Sequence, residues 1–387
     1  AKGFPDGLTY DIVYDPTVFV RGSIEAVVKT LLEAVLLVVL VVVLVGFNSC
    51  KQCKSEQPVV DTTDSTQIPA IDLINAEIAK DSLNPFLYFK RAKVYDVNGE
   101  YKSAVTDMFL ALSLDSLRPE FYLYTAELFK KTGELNKGIA LMDVAIATDS
   151  ANTNYYVKAS ELAYIDTSVK GNYIMALNYL NVATVKDPQN ADIYFYKGMV
   201  FRESGDTVKA ISSFKTATEL NPQYYNAYVQ LGLLSRARKD KDAQKYFDNA
   251  IKVSDKPEDA LYAKADIVKE EGIKLYDAGK YEQAEASLTE AINTFKKVVE
   301  LNHRNIEAYM GIARSYYQLD SLQQAYDYYA LAAKLEPTYA GAYFSQGLVA
   351  EEMGRKAEAI RLYQNCLNID PSFKRAEEHL KGLQGAQ

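Results

Sequence analysis

The chain has no tryptophan, only two histidines and only three cysteines in 387 residues. Without tryptophan, every position that needs a large aromatic falls to 30 tyrosines and 15 phenylalanines. Cys50, Cys53 and Cys366 cannot build a disulfide framework. The lone Cys50-x-x-Cys53 has no second pair and no nearby histidine, which excludes the usual zinc arrangement. Basic excess is missing as well: 43 Lys and Arg face 51 Asp and Glu, a net charge of −8, with no basic stripe. Phosphate contacts need Lys and Arg, so nucleic acid is excluded as a partner. No P-loop, glycine-rich dinucleotide loop or zincin motif is present. His303 lies in a turn and His379 in a polar end segment; both read as exposed surface histidines. Hydrolytic or transfer chemistry needs a nucleophile, a base and an orienting group, usually on loops over a cleft. The chain offers short turns instead, so neither an enzyme nor a cofactor is expected.

What is present is a repeat. Small residues return in phase as Ala92, Ala126, Ser160, Gly198, Gly232, Gly272, Ala313 and Gly347. A second series reads Ala104, Gly138, Ala176, Ala210, Ala243, Ala284, Ala325 and Ala359. A third follows it by seven residues each time, from Ala111 and Ala145 to Ala332 and Cys366. Seven residues is close to two helical turns, so the last two series share a helix face and let two helices approach closely. Cys366 fills a slot held elsewhere by Ala and reads as a small core residue. Four residues before the first series stands an aromatic in every unit but one, where Val268 replaces it. Turn signals such as Asn98-Gly99, Thr132-Gly133 and Met353-Gly354 fall mid-unit. Units close with Asp187-Pro188, Asn221-Pro222, Glu336-Pro337 or Asp370-Pro371, where proline cannot continue a helix.

The first series commonly recurs after 34 residues, as in Ala92 to Ala126 and Gly198 to Gly232. This resembles the tetratricopeptide repeat, TPR, a helix–turn–helix unit of about 34 residues, with Tyr where that repeat usually has Trp. The resemblance implies an all-α, right-handed superhelical solenoid of eight helical hairpins over residues 85–371, with capping helices at 68–84 and 372–387. At the front cap, Ile71, Ile74, Ile78 and Ala79 stand at helical spacing. At the back cap, Lys374, Arg375, Glu377, Glu378 and Lys381 make a polar helix. A solenoid grows as one continuous body, which overrides the two or three domains that length alone suggests.

Residues 1–44 differ in kind. Val18 to Ala34, entering a Val/Leu run, resembles an RND-type multidrug efflux pump where it enters a transmembrane helix. None of the intramembrane charged residues that carry protons in such pumps can be placed here, so transport is not expected. Ala34–Phe47 is fourteen apolar or glycine residues, short of the roughly 20 of a bilayer span and within the 7–15 or so of a signal peptide. With Ser49, Cys50 and the polar stretch after them, it resembles a bacterial lipoprotein signal, which implies lipidation at Cys50. We read the overlap of the two resemblances at Leu36–Leu44 as a junction between a pump fragment and a lipoprotein; the alternative is a natural membrane-anchored fusion. Residues 45–67 hold the lipobox-like site and a tether too polar to order itself.

The repeats are uneven. The third has four extra residues in its turn, within Ile165–Lys170, and the fifth is one residue short there. The sixth is seven residues longer in each helix at the same end, predicting a ridge from Lys256–Val268 and Asn293–Leu301 that is either a docking edge or a spacer.

In TPR proteins the first helix of each repeat lines the concave surface, where partners lie as extended or helical peptides. Carried over by phase, the inward pairs are Phe89 and Lys93, Leu123 and Glu127, Val157 and Glu161, Phe195 and Met199, Val229 and Leu233, Lys269 and Ile273, Met310 and Arg314, and Phe344 and Leu348. One turn on come Lys130, Tyr164, Arg202, Arg236, Tyr276 and Tyr317. Such a groove, apolar and aromatic with interspersed charge, suits a protein or peptide ligand. A Lys/Asn carboxylate clamp is not expected, since Lys93 lacks asparagine partners. The expected function is a non-enzymatic protein–protein interaction scaffold, a TPR lipoprotein held at a membrane of the bacterial cell envelope, periplasmic or outer. Alternatives are a glycan- or nutrient-binding lipoprotein, or a transporter-associated subunit if residues 1–44 are a genuine fusion. Glycan capture wants long loops with aromatic platforms, and no insertion here exceeds seven residues.

Overall fold

The computed structural model describes residues 68–166 and 172–385, and every regular element among them is an α-helix. After α1 (Ile68–Lys80) come the pairs α2 (Pro85–Val97) and α3 (Tyr101–Leu114), α4 (Pro119–Thr132) and α5 (Leu135–Thr148), and α6 (Thr153–Ile165) and α7 (Asn172–Lys186). They continue with α8 (Ala191–Glu203) and α9 (Thr207–Leu220), α10 (Tyr225–Ala237) and α11 (Ala243–Val253), and α12 (Glu258–Asp277) and α13 (Tyr281–Leu301). The last are α14 (Ile306–Gln318) and α15 (Leu322–Leu335), α16 (Ala340–Glu352) and α17 (Lys356–Ile369), then the single α18 (Lys374–Gly385). The pump-like residues 1–44, Cys50 with the tether to residue 67, and residues 167–170 of the third repeat's insertion lie outside the described residues. The chain divides into two compact units, Ala1–Lys158 and Ala159–Gln387, each built from the same hairpin.

Local chemistry sets the helix ends. Pro85 and Pro119 stand in the first turn, where their missing N–H costs nothing. Side chains of Asn84, Asn190 and Asn305 accept from the backbone N–H of Phe86, Asp192 and Ala308 at 3.0–3.1 Å. Five hairpin turns pass through a left-handed glycine, Gly99, Gly133, Gly205, Gly279 and Gly354. The fifth and seventh hairpins reach the same point with Lys239 and Asp320, both at φ 56°. A side chain there costs about 1–2 kcal/mol, and Asp tolerates it better than Lys. Lys239→Gly should therefore stabilise by about 0.5–1 kcal/mol after the entropy of glycine is counted, with a smaller gain for Asp320→Gly. A urea midpoint that fails to rise in Lys239→Gly would remove strain from the account of this turn.

The core repeats one lock. Four residues into each second helix from its small residue stands a large side chain: Met108, Met142, Leu180, Phe214, Phe247, Leu288, Tyr329 and Tyr363, all buried. Where that side chain is Phe, the first helix offers glycine: a Cβ on Gly198 would stand 2.6 Å from the Phe214 ring, and one on Gly232 2.6 Å from Phe247. Gly347 meets Tyr363, and Gly272 meets Leu288, at 2.7 Å in the same way. Where the partner is Met, the first helix carries Ala92 or Ala126. Ala313 beside Tyr329 is the exception. Tyrosines four residues ahead of the small residue bury the ring and donate to the preceding turn, Tyr88 to the Ser82 carbonyl and Tyr194 to that of Pro188, both at 3.0 Å.

The sixth hairpin is longer, 20 and 21 residues in its two helices. The added turns bury Leu261, Phe295 and Val298 against Ile312 of the next repeat. Asn302 and Asn305 both donate to Glu258 Oε1, at 2.8 and 2.9 Å, and the Ala260 N–H donates to the Tyr225 hydroxyl at 3.3 Å. The expected ridge is thus a packed extra layer whose outer residues Asn293, Lys297 and Glu300 remain exposed. At the end of the second unit α18 is more than a polar cover. Ala376 is buried, with Phe373, Leu380 and Leu383 packed alongside. His379, expected at the surface, stacks on Tyr363 and accepts or donates at Glu351 Oε2, 2.9 Å away, an oxygen that also takes the Tyr363 hydroxyl at 2.6 Å. Its neighbours come from two earlier helices, which a local reading of α18 could not supply.

Candidate functional site

In the second unit the first helices α12, α14 and α16 border a cavity of about 540 Å³, closed at one end by Phe373 and Arg375. Lys269, Met310, Arg314, Tyr317, Phe344 and Leu348, which repeat phase turns inward, all line it. Tyr262, Glu307, Tyr329 and Tyr339 line it too and were not singled out by sequence, and Arg375, expected only as part of the polar cap, joins them. Tyr262 sits in the added turns of α12 and Tyr339 just ahead of α16, where the groove rule for a standard hairpin has no position. Arg314 and Arg375 have no carboxylate partner among the described residues; Arg375 lies over the Phe344 ring at 4.9 Å. Burial pushes the Tyr262 and Tyr329 hydroxyls up to about 12, so both stay protonated donors. The walls therefore present donors and cations around an apolar floor, with Glu307 as the one carboxylate lining them.

Lys269 is buried and paired with Asp266, which also accepts from Arg236. Burial alone would push Asp266 up, but Lys269 and Arg236 outweigh it and hold its carboxyl below the usual range. Its folded value is the lower one, so its stabilisation is complete above an unfolded aspartate's value of about 3.9 and is lost as pH falls through the folded value. The thermal midpoint of the second unit should accordingly drop with acid only below about pH 4, and Asp266→Asn should flatten that dependence. An unchanged acid slope in the variant would assign it to other carboxylates.

The remaining expected residues divide three ways. Leu233 and Arg236 border a second cavity, about 680 Å³, between α10 and α12. There Arg236 is already neutralised by Asp266 and by Glu270 at 2.8 Å. Arg202 is likewise held by Gln230 and Glu203, and Met199 packs beside the core of α8–α10. Phe195 and Glu161 are corrected to interior residues. Phe195 is enclosed by the rings of Phe214 at 5.7 Å and Tyr224 at 5.0 Å, and Glu161 is only 7% exposed. Tyr276 stands exposed at the hairpin turn against Tyr281, outside the 540 Å³ cavity. In the first unit Phe89 lies between Phe121 and Tyr124 with the Lys93 ammonium 4.1 Å over its ring. Glu127 pairs with Lys158 at 3.1 Å and Lys130 at 3.5 Å, while Leu123 is half-buried beside them. Cys366 is buried, which pushes its thiol up to about 11 and leaves it inert.

Residues 170–225, 269–340 and 340–373 match models of the tetratricopeptide repeat. Those stretches carry tetratricopeptide repeats, and the other described hairpins share their helix–turn–helix form. Such repeats are protein–protein interaction scaffolds, and the fold is generally non-catalytic. Residues 1–49 match the AcrB/AcrD/AcrF family and lie outside the described residues. The chain is similar to small glutamine-rich tetratricopeptide repeat-containing protein 2 of Mycosarcoma maydis, 31% identical over 30% of this chain and 31% of that one. It is also similar to DnaJ homolog subfamily C member 3 of Bos taurus, 22% identical over 54% of this chain and 42% of that one. The chain thus spans well under half the length of both curated relatives. A solved tetratricopeptide repeat protein from Parabacteroides merdae aligns at 20% identity over 68% of this chain and 98% of its own, with a TM-score of 0.41. Among the described residues no helix is long and apolar enough to cross a membrane.

Proposed function

We propose that this protein is a non-enzymatic scaffold that holds an acidic segment of another protein along the inner face of its second unit. The observation that carries the reading is the cavity in which Arg314 and Arg375 stand without carboxylates, among tyrosine hydroxyls and the apolar Met310, Phe344 and Leu348. Charge complementarity of this kind selects the partner and sets the encounter rate. The scaffold is held at a membrane of the bacterial cell envelope, by lipid on Cys50 or by the apolar run before it; the sequence around Ala34–Cys50 motivates this part. Labelling with palmitate should mark the chain and spare Cys50→Ala; equal label in both would remove the lipid anchor.

The groove is tested with a fluorescein-labelled peptide of alternating Glu and Leu and its Gln-for-Glu counterpart, read by anisotropy. The Glu peptide should bind, more weakly as salt rises, and Arg314→Glu with Arg375→Glu should weaken it by about tenfold or more. Equal binding of the two peptides would defeat the acidic-segment reading. Arg236 is a poor site for such a test, because reversing it breaks its own ion pairs with Asp266 and Glu270.

A further inference from the structure

The first hairpin exposes apolar side chains both in its flanking turns and on its outer helix. Leu83 and Leu117, in the turns ahead of α2 and α4, are 76% and 77% exposed. At the phase of Leu117 the later repeats place Ala151, Gln189, Gln223, Lys256, Arg304 and Thr338. On the outer helix α3, Phe109 and Leu110 are exposed; the same phase is polar in Lys215-Thr216, Asp248-Asn249 and Gln364-Asn365, while the third and seventh hairpins expose Val182 and Leu331 there. Leu110 and Leu114 share one face of α3, and Leu117 stands in the turn that follows it. Phe86 joins them at the edge, since the Arg118 guanidinium, next to Leu117, lies 4.9 Å over its ring. Lys80, three residues before Leu83, and Lys102, about two turns before Leu110 on α3, are exposed and without ion pairs among the described residues, as is Asp81. Exposed apolar side chains with lysines near them in the chain suit a surface that is hydrocarbon under anionic headgroups.

The chain ahead of α1 says which surface is near. The apolar run Ala34–Phe47 ends 20 residues before Ile68. Fully extended, that connection spans at most about 70 Å, so a run in or on a bilayer keeps the first hairpin within reach of its surface. We propose that the outer edge of this hairpin, Leu83, Phe86, Leu110, Leu114 and Leu117, lies against the surface of an anionic phospholipid bilayer. The inference rests on the tether reading for proximity alone; the contact itself is carried by the exposed leucines. It would orient the scaffold at the membrane in place of leaving it on a free leash.

The absence of tryptophan makes the test direct. The full chain is prepared as Leu117→Trp and, separately, as Val208→Trp at an exposed site in the second unit. Each is mixed with phosphatidylglycerol–phosphatidylethanolamine vesicles, with and without brominated acyl chains. Emission from Leu117→Trp should shift to the blue and be quenched by the brominated lipid, while Val208→Trp stays unmoved. Leu83→Gln with Leu117→Gln, the residue type other repeats use, should weaken vesicle binding by about tenfold, as expected for losing leucine burial, with unchanged helicity. Cosedimentation with an unmoved Leu117→Trp signal would overturn the inference and leave the tether standing. A chain that does not sediment with vesicles overturns both. Equal quenching at both sites overturns the inference, as does a blue shift without lipid that grows with protein concentration, which would mean a second copy covers the edge.

Discussion

Asp107→Ala is expected to open the first hairpin at a cost of about 3–5 kcal/mol, while the hairpins of the second unit stay closed. Asp107 is only 3% exposed and takes both ends of Arg91, Nε to Oδ2 at 2.7 Å and Nη2 to Oδ1 at 2.6 Å. The third arm of that guanidinium donates to Asn75 of α1 at 2.7 Å, so one cation joins α1, α2 and α3. The hydrogen bonds that Arg91 donates to Asp107 outweigh burial and hold the Arg91 pKa above its ordinary value, which marks the pair as mutually stabilising. Removing the carboxylate leaves a largely buried charge with no counter-ion, the costly way to break such a pair. Replacing both partners, Arg91→Met with Asp107→Leu, should cost far less, because no charge is stranded. In a repeat array the loss is local, so amide exchange should accelerate over residues 68–114 and stay unchanged over 340–385. Unchanged exchange at the first hairpin in Asp107→Ala would show that the pair contributes little.

Phe214→Ala should cost about 3–5 kcal/mol, because Phe214 is fully buried and its ring fills the space that Gly198 leaves open. Gly198→Ala should cost about 1–3 kcal/mol for the opposite reason, since its new Cβ would meet that ring at 2.6 Å in a core with no slack. Other hairpins of this chain already contain the remedy: they pair Ala126 with Met142 and Ala92 with Met108. Gly198→Ala with Phe214→Met should thus be markedly less destabilised than the sum of Gly198→Ala and Phe214→Met. A double-mutant cycle by urea unfolding reads the coupling, and strict additivity would end the size-matching explanation.

The same pairs mark the limit of what periodicity conveys. The small-residue series conveyed the phase and pairing of the helices, because 3.6 residues per turn and a close helix approach leave few registers. The turn at Lys239 lay in reach too, 34 residues after Gly205, although no glycine announced it. Phase alone could not tell Phe195 from Phe344. Both face inward by register and both are buried, Phe195 under Tyr224 and Phe344 under Phe373, yet of the two only Phe344 lines the 540 Å³ cavity. Nor could it tell Arg236, neutralised by α12, from Arg314, which is not.

The order of residues by itself determined the helices, their pairing into eight hairpins and the longer sixth pair, because each depends on spacing within about forty residues. Only the tertiary structure decided which inward side chains are free. That choice depends on how neighbouring repeats fill the space over each one, and on whether a carboxylate from the next first helix reaches a given cation. It left Arg314 and Arg375 beside an open cavity and folded Arg236, Glu161 and Phe195 into the packing between repeats.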